Sequence, residues 1–429
     1  MKFSVSKQSI TPAWPVNMGG YAFRTEKSKG VYEEIYSRCF LLDDGNGRTL
    51  IVALDIVGLD REFVSKVKNK IEKAFGLKSE DILIHCTHSH SGPSTFPFPT
   101  FFSKPEKEYM DYLDQKIMVS VEKCMASTRE GEVFVGSGET FIGMNRRWKT
   151  ETGYMLKPNE KGSVDRNLTV LTVKNRRKEI EVVLFSCACH PTVMSYENLM
   201  ISADYPGAAC KYIEMLFPGC TAVFIQGAGA DINPAVVTAD RAYRKRYFSD
   251  VEFMGRIIAN DVANIVRLGM ENICISLMNM LENISLPLDE FSENIFNDML
   301  INGNETQKEY AANIFRFMES KEKPAREVDF QVGIYQLSPK FRIAALEGEI
   351  CHGYGAGIRS LFGKGMTLVS GYSNGIISYI PTRKILMEGG YEAIANCSTY
   401  GLPACFEGNV EEVILKYFAK HAAGDNNRL

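Results

Sequence analysis

The sequence predicts a mixed α/β fold: one large domain over residues 1–429, built as a single body or as two lobes, with its strand-end loops converging on one side. Three observations predict it. Short apolar runs of strand length alternate with longer stretches of helical spacing, as residues 50–55, 62–75 and 81–86 do in turn. Several apolar runs stop abruptly in a polar loop broken by glycine or proline. No period of ~20–50 residues repeats, so a solenoid is excluded, and no Pro/Ser-rich linker divides the chain.

Composition narrows the function. With 45% hydrophobic and 24% charged residues, this is an ordinary soluble globular chain, and a formal charge of -3 gives no electrostatic reason to expect nucleic acid or an anionic membrane as partner. The basic clusters at 175–178 and 244–246 are short and read as solvated turns or helix faces. Met1 to Lys7 has no apolar core of a signal peptide. No apolar run approaches the ~20 residues needed to span a bilayer. Eleven cysteines is an odd number, and Cys187, Cys189, Cys210 and Cys274 lie in apolar segments, which suits buried reduced thiols and a cytoplasmic location.

In chain order, residues 1–60 read as strands and turns, with a strand at 50–55 that ends on Asp55, a loop cap or a group behind a site. A helix over 62–75 stops at Gly76 and leads into the strand 81–86, a βαβ unit that implies parallel strands. That strand delivers Thr87-His88-Ser89-His90-Ser91-Gly92-Pro93. If the extended geometry lasts, period two points His88 and His90 the same way. Two converging imidazoles suit a metal site or a ligand with a catalytic neighbour; the plainer reading is a pair of hydrogen-bonded loop histidines.

Residues 94–102 hold four phenylalanines and two prolines, a loop whose Phe96 and Phe98 either wall a substrate or simply pack. A long helix follows over 105–127, then a strand at 131–138 and a polar turn at 144–148 carrying Arg146. Strands at 168–173 and 181–187 form a hairpin, and the second ends in His190-Pro191-Thr192. A buried run thus delivers histidine and breaks at proline for the second time, which strengthens the case for a metal. Asp204 reads as the N-cap of a helix to Phe217. The strand 221–225 runs into a glycine-rich loop, 227–234, that fails as a dinucleotide fingerprint because Pro234 follows where a helix should begin. Its backbone approaches a ligand, with Asp231 on the substrate side. After a helix at 250–268 and a strand at 273–286, residues 289–321 form a helical insertion, with a lid as the alternative. Two strands within 328–350, a helix from His352, a strand at 367–370, loops at 372–382 and 389–392 and a helix at 410–422 complete the chain.

Taken together, Ile10-Thr11-Pro12, Gly19-Gly20-Tyr21, Thr87 through Pro93, Asn145-Arg146, His190-Pro191-Thr192, Ile201-Ser202-Ala203-Asp204, Gly348-Glu349 and Tyr372-Ser373-Asn374 through Tyr379 resemble the catalytic domain of the neutral/alkaline ceramidases in order and approximate spacing. The resemblance covers nearly the whole chain; the carboxy-terminal immunoglobulin-like domain of the secreted members has no counterpart here. It implies one Zn2+ held by His88, His190, Glu349 and Tyr379, with His90 moving protons and Arg146 facing the developing oxyanion. Where ceramidases carry Gly-Asp-Val-Ser-Pro-Asn with a catalytic serine, this chain reads Ala230-Asp231-Ile232-Asn233-Pro234, and an amide cannot be an acyl nucleophile. Asn233 is left to orient substrate or donate to an oxyanion. The resemblance therefore implies a zinc-dependent hydrolase of ceramidase type that cleaves an amide, or an ester, by metal-activated water in a small-molecule or N-acyl lipid substrate. The alternatives are a zinc hydrolase of a small polar metabolite and an inactive member that binds a metal or ligand.

Overall fold

The computed structural model describes all residues except 23, 99–102, 245–246, 291–292, 303–304, 320–324, 364, 396–398 and 427–429. Two sheets lie face to face with helices outside both, giving four layers. The larger sheet runs in the order Thr221–Gln226, Ile180–Cys187, Asn167–Asn175, Arg129–Glu139, Lys2–Ser9, Tyr36–Asp43, Arg48–Leu54 and Ile82–Cys86, with Glu271–Ile273 paired beside Arg129–Glu139. The smaller sheet runs Met278–Pro287, Glu327–Ser338, Phe341–Leu346 and Met366–Ser370.

Period two in the strands assigns each face its layer. In Arg48–Leu54, Leu50, Val52 and Leu54 pack under the helices Arg61–Phe75 and Lys107–Ala126. Ile51 and Ala53 face the other way, into a core shared with Phe341, Ile343 and Leu368 of the smaller sheet. Val183 and Phe185 likewise meet the helices Asp204–Leu216 and Phe248–Leu268. The outer face of the smaller sheet, with Val332 and Leu346, is covered by Gly353–Phe362 and the terminal helix Val410–Asn426. The expected βαβ unit is present: Arg48–Leu54 and Ile82–Cys86 pair in parallel, and the helix between them ends at Gly76 with φ 66, a left-handed cap that glycine adopts without penalty. Within 289–321 the expected helical character is present as Glu293–Asn302 and Glu305–Glu319.

Four expectations need correction. Arg146 sits in a strand, Gly143–Thr150, because that segment pairs with Gly153–Asn159 and with Ile232–Pro234 on its other side. Asp204 is not a cap; it is the first helical residue, at φ 57, and its carboxylate accepts from the Val193 and Met194 backbone N–H groups across the chain. Residues 391–395 wind as a π-helical turn where a loop was expected. Cys274 is exposed, while Cys187, Cys189 and Cys210 are buried. Asp55 is a partner to buried Arg38 and to the Tyr36 N–H, so it closes the strand end structurally. Phe101, Phe102, Lys245, Arg246 and Lys321 lie outside the described residues.

Candidate metal centre and active site

The site is assembled where the two sheets' strand ends meet. Beyond Cys86, the Thr87 and His88 N–H groups still donate to Leu54 and Ile56 carbonyls, and then the chain turns at His88, whose φ is 66. A left-handed non-glycine residue is strained and persists only where its surroundings fix it. Here they do. The His88 Nδ1 lies 2.5 Å from the Val57 carbonyl, and its ring stacks on Tyr372 with centroids 4.1 Å apart. His88 and His90 therefore converge, but through this turn and not by the extended alternation expected. A Cβ on Gly20 (φ 89) would stand 2.6 Å from the His90 ring, so the Gly-Gly pair is what lets that loop close over the histidine.

His190 arrives on the loop after Ile180–Cys187, its N–H donating to the Ile232 carbonyl at 2.8 Å. Asp204 pins the residues that follow it. Glu349 and Tyr379 are direct neighbours in a short parallel pair, Glu349–Ile350 with Tyr379–Ile380.

The result is a cluster of donors. His88 Nε2 is 3.0 Å from His190 Nε2 and 3.1 Å from His90 Nε2. Glu349 Oε2 is 3.4 Å from His88 Nε2 and 3.6 Å from His190 Nε2. All four residues are buried. Donors bound ~2.0–2.1 Å from one ion in a tetrahedron stand ~3.3–3.4 Å apart, so His88, His190 and Glu349 already have the separations that an ion requires. With Nδ1–H donating to Val57, His88 turns a lone pair inward at Nε2, the tautomer a ligand needs. The three histidines form a group able to hold a metal.

Electrostatics fit the same use. Burial would raise the Glu349 carboxyl, but the His88 ring and the hydroxyls of Tyr400 and Tyr379 outweigh it and hold it below the usual carboxylate range. Burial, and then the Glu349 charge, push the Tyr379 phenol well up, so it is a neutral donor unless a cation lies beside it. Arg146 lies 5.5 Å from the Tyr379 ring centre. Its Nε donates to Glu392 at 2.8 Å and its Nη1 to Asn233 Oδ1 at 3.4 Å, and its buried Nη2 has no hydrogen-bond acceptor among the described residues. A buried donor without an acceptor costs ~1–3 kcal/mol, so it is a place where a ligand oxygen would be welcome.

All expected site residues except Asp231 gather here with their side chains. Asp231 lends only its backbone, its carbonyl accepting from the Arg146 N–H, while its carboxylate is bound to His352. Phe96 and Phe98 are buried and pack on Tyr400 with centroids 5.5 and 5.3 Å apart, and the Tyr400 hydroxyl donates to Glu349. They pack behind the donor cluster through Tyr400. Sequence reasoning missed Tyr400, Glu392 and the stacking role of Tyr372. No sequence signal announced Glu392: it sits on a π-helical turn, a backbone form that favours functional sites but is not legible from composition or spacing.

Fold and cluster together define the class: a four-layer α/β protein with a buried histidine–carboxylate centre. A family model described as neutral/alkaline non-lysosomal ceramidase, N-terminal, matches residues 2–240, more than half of the chain. The chain belongs to that family. The match contains His88, His90, Arg146, His190 and Asn233; Glu349 and Tyr379 lie beyond it. The chain is 26% identical over 249 residues to neutral ceramidase of Pseudomonas aeruginosa, covering 54% of this chain and 37% of that protein. It is 26% identical over 216 residues to neutral ceramidase of Oryza sativa subsp. japonica, covering 47% and 27%. These alignments thus span well under two thirds of the relatives' own length. The fold matches the crystal structure of neutral ceramidase from Pseudomonas aeruginosa with a TM-score of 0.78 at 19% identity, over 100% of this chain and 75% of that one. It also matches a structure of ceramidase complexed with C2, with a TM-score of 0.75 at 18% identity. Among the described residues no helix is long and apolar enough to cross a membrane.

Proposed function

We propose that this protein is a zinc-dependent amidohydrolase of ceramidase type that cleaves the amide of an N-acyl lipid. The observation that carries the proposal is the approach of His88, His190 and Glu349 donors to 3.0–3.6 Å of one another inside a buried site. His88, His190, Glu349 and Tyr379 would hold the ion. When bound, zinc supplies Lewis acidity and a water that is nucleophilic at neutral pH.

The chain's own groups do the rest. His90 Nε2, 3.1 Å from His88 Nε2, takes the proton of the attacking water and returns it to the leaving amine. Arg146, oriented by Glu392, offers Nη2 to the carbonyl oxygen as charge develops there. Asn233 accepts from Arg146 and so steadies it. Lacking a hydroxyl, Asn233 cannot carry an acyl group, and the reaction is direct hydrolysis. Phe96, Phe98 and Tyr400 form the apolar wall for an acyl chain. A cytoplasmic setting is part of the same proposal, supported by buried free thiols such as Cys187 and Cys189.

The test is chelation followed by reconstitution with zinc, with hydrolysis followed on long-chain and short-chain N-acyl amides. Activity should vanish, return with zinc and favour long chains. His90→Ala should keep zinc and lose turnover by ~10²–10⁴-fold. Hydrolysis indifferent to chelation, or His90→Ala with full turnover, contradicts the scheme. A preference for short, polar acyl groups would transfer the same centre to a polar metabolite.

A further inference from the structure

A second constellation involves none of the metal donors. His352 Nδ1 lies 2.6 Å from Asp231 Oδ2, and His352 Nε2 lies 2.8 Å from Ser163 Oγ. Asp231 is wholly buried and uses both oxygens on the one residue, its Oδ1 accepting from the His352 backbone N–H at 2.7 Å. That grip fixes the ring and its tautomer: Nδ1 carries the proton, and Nε2 presents a lone pair to the serine. The order of burial is the one a nucleophile needs, with Asp231 enclosed, His352 keeping 18% of its side chain exposed and Ser163 open to solvent.

The serine is itself held. Asn145 Nδ2 donates to the Ser163 carbonyl at 2.9 Å. A Cβ on the preceding Gly162 would stand 2.5 Å from the Asn145 Cβ, so only glycine lets the loop approach this closely. Ser163 and His352 open on a cavity of about 600 Å³, whose wall carries Lys149 and Lys161, together with Lys384 that pairs with Glu388 at 3.9 Å, and Glu411. Gly353 lines the same cavity and starts the ten-residue helix Gly353–Phe362, so the positive end of that helix borders the space. A Ser–His–Asp set is recognised by these roles and distances and not by chain order.

We propose that Ser163, His352 and Asp231 form a second acyl-transfer site, acting on a small carboxylic ester that carries an anionic group. Ser163 Oγ bonds to the ester carbonyl carbon while its proton passes to His352 Nε2. The carbon–alkoxy bond then breaks, and the alcohol leaves with that proton. Water, deprotonated by His352, releases the carboxylic acid and restores the Ser163 hydroxyl. Asp231 orients the ring throughout, and Lys149 and Lys161 hold the anionic group.

The experiment uses the full chain in excess chelator, so that it does not depend on the metal centre. A fluorophosphonate serves as probe: Ser163 Oγ displaces fluoride at phosphorus, with the hydroxyl proton taken by His352. Peptide mass spectrometry should place the adduct on Ser163, and His352→Gln should slow labelling by ~100-fold or more. Hydrolysis of 4-nitrophenyl succinate should survive chelation and be lost in Ser163→Ala, whose zinc uptake should match that of the parent chain. The adduct on the unsubstituted chain needs no variant to fold. No adduct at Ser163, labelling unchanged in His352→Gln, or ester hydrolysis that persists in Ser163→Ala would each overturn the proposal.

Discussion

The Nε2 atoms of His88 and His190 stand 3.0 Å apart although 102 residues separate them in the chain. Both rings are buried, and Glu349 Oε2 lies within 3.6 Å of each. Burying two imidazoles and a carboxylate this close costs several kcal/mol unless something compensates. A cation among them would do so, and the geometry behind the ligands offers ways to test it.

Tyr400 donates its hydroxyl to Glu349 from 51 residues away, and Phe96 and Phe98 fix its ring. A partner of this kind orients a ligand and typically contributes 10–100-fold in metal affinity, so Tyr400→Phe should weaken zinc binding by ~10–100-fold with the fold unchanged. Competition against a chromophoric chelator measures it. Equal affinity in the variant would show that Glu349 needs no such support.

Glu392 is fully buried and takes Arg146 Nε at 2.8 Å on one oxygen and Arg147 Nη1 at 2.6 Å on the other. Removing its charge leaves two buried guanidinium groups without their shared carboxylate. Glu392→Gln should therefore cost ~3–5 kcal/mol in urea unfolding. Because Arg146 loses its orientation, kcat should fall more than KM rises. A variant as stable as the parent would mean that Glu388, which also meets Arg147, carries the load alone.

The Asp231–His352 pair predicts a pH window. For Asp231, burial works upward, but the His352 charge, hydrogen bonds from His352 and nearby Arg146 hold the carboxyl below its ordinary range. For His352, burial works downward, but Asp231, with Asp165 further off and Lys384 opposing, raises the imidazole above its ordinary 6.5. A depressed carboxyl stabilises the fold in full above its unfolded pKa and loses that contribution as pH falls through the folded value; a raised imidazole does so below its unfolded pKa and loses it as pH rises through the folded value. Both contributions are complete between about pH 4 and 6.5. The stability deficit of His352→Gln should be largest in that window and shrink on the alkaline side, as measured by urea unfolding across pH. A deficit independent of pH would mean that the pair acts as a neutral hydrogen bond.

The mixed α/β class and the histidines at strand ends were legible in the sequence because both follow from local pattern. Apolar runs ending at Cys86 and Cys187 mark strand ends, and histidines just beyond them fall where strand-end loops meet. Glu349 and Tyr379 were named from the family resemblance, and the register Glu349↔Tyr379 gives it a structural cause. What escaped depends on distance or on unusual backbone. Tyr400 and Glu392 reach their partners across 51 and 246 residues, with no periodicity to announce them. His88 converges with His90 through a left-handed turn that period-two reasoning excludes. Asp204 has the composition of a helix cap, yet its carboxylate serves the loop after His190, a tertiary use that overrides the local signal. Arg146 looked like part of a polar turn because its strand is held by pairing on both sides and not by an apolar face.

The most direct measurement of the central claim is the zinc content of the purified full chain and of His190→Ala, by inductively coupled plasma mass spectrometry after reconstitution and removal of free metal. The proposed four-ligand site predicts about one zinc ion per chain, falling to background in the variant. A parent chain that takes up no zinc, or a variant that holds as much as the parent, would contradict it.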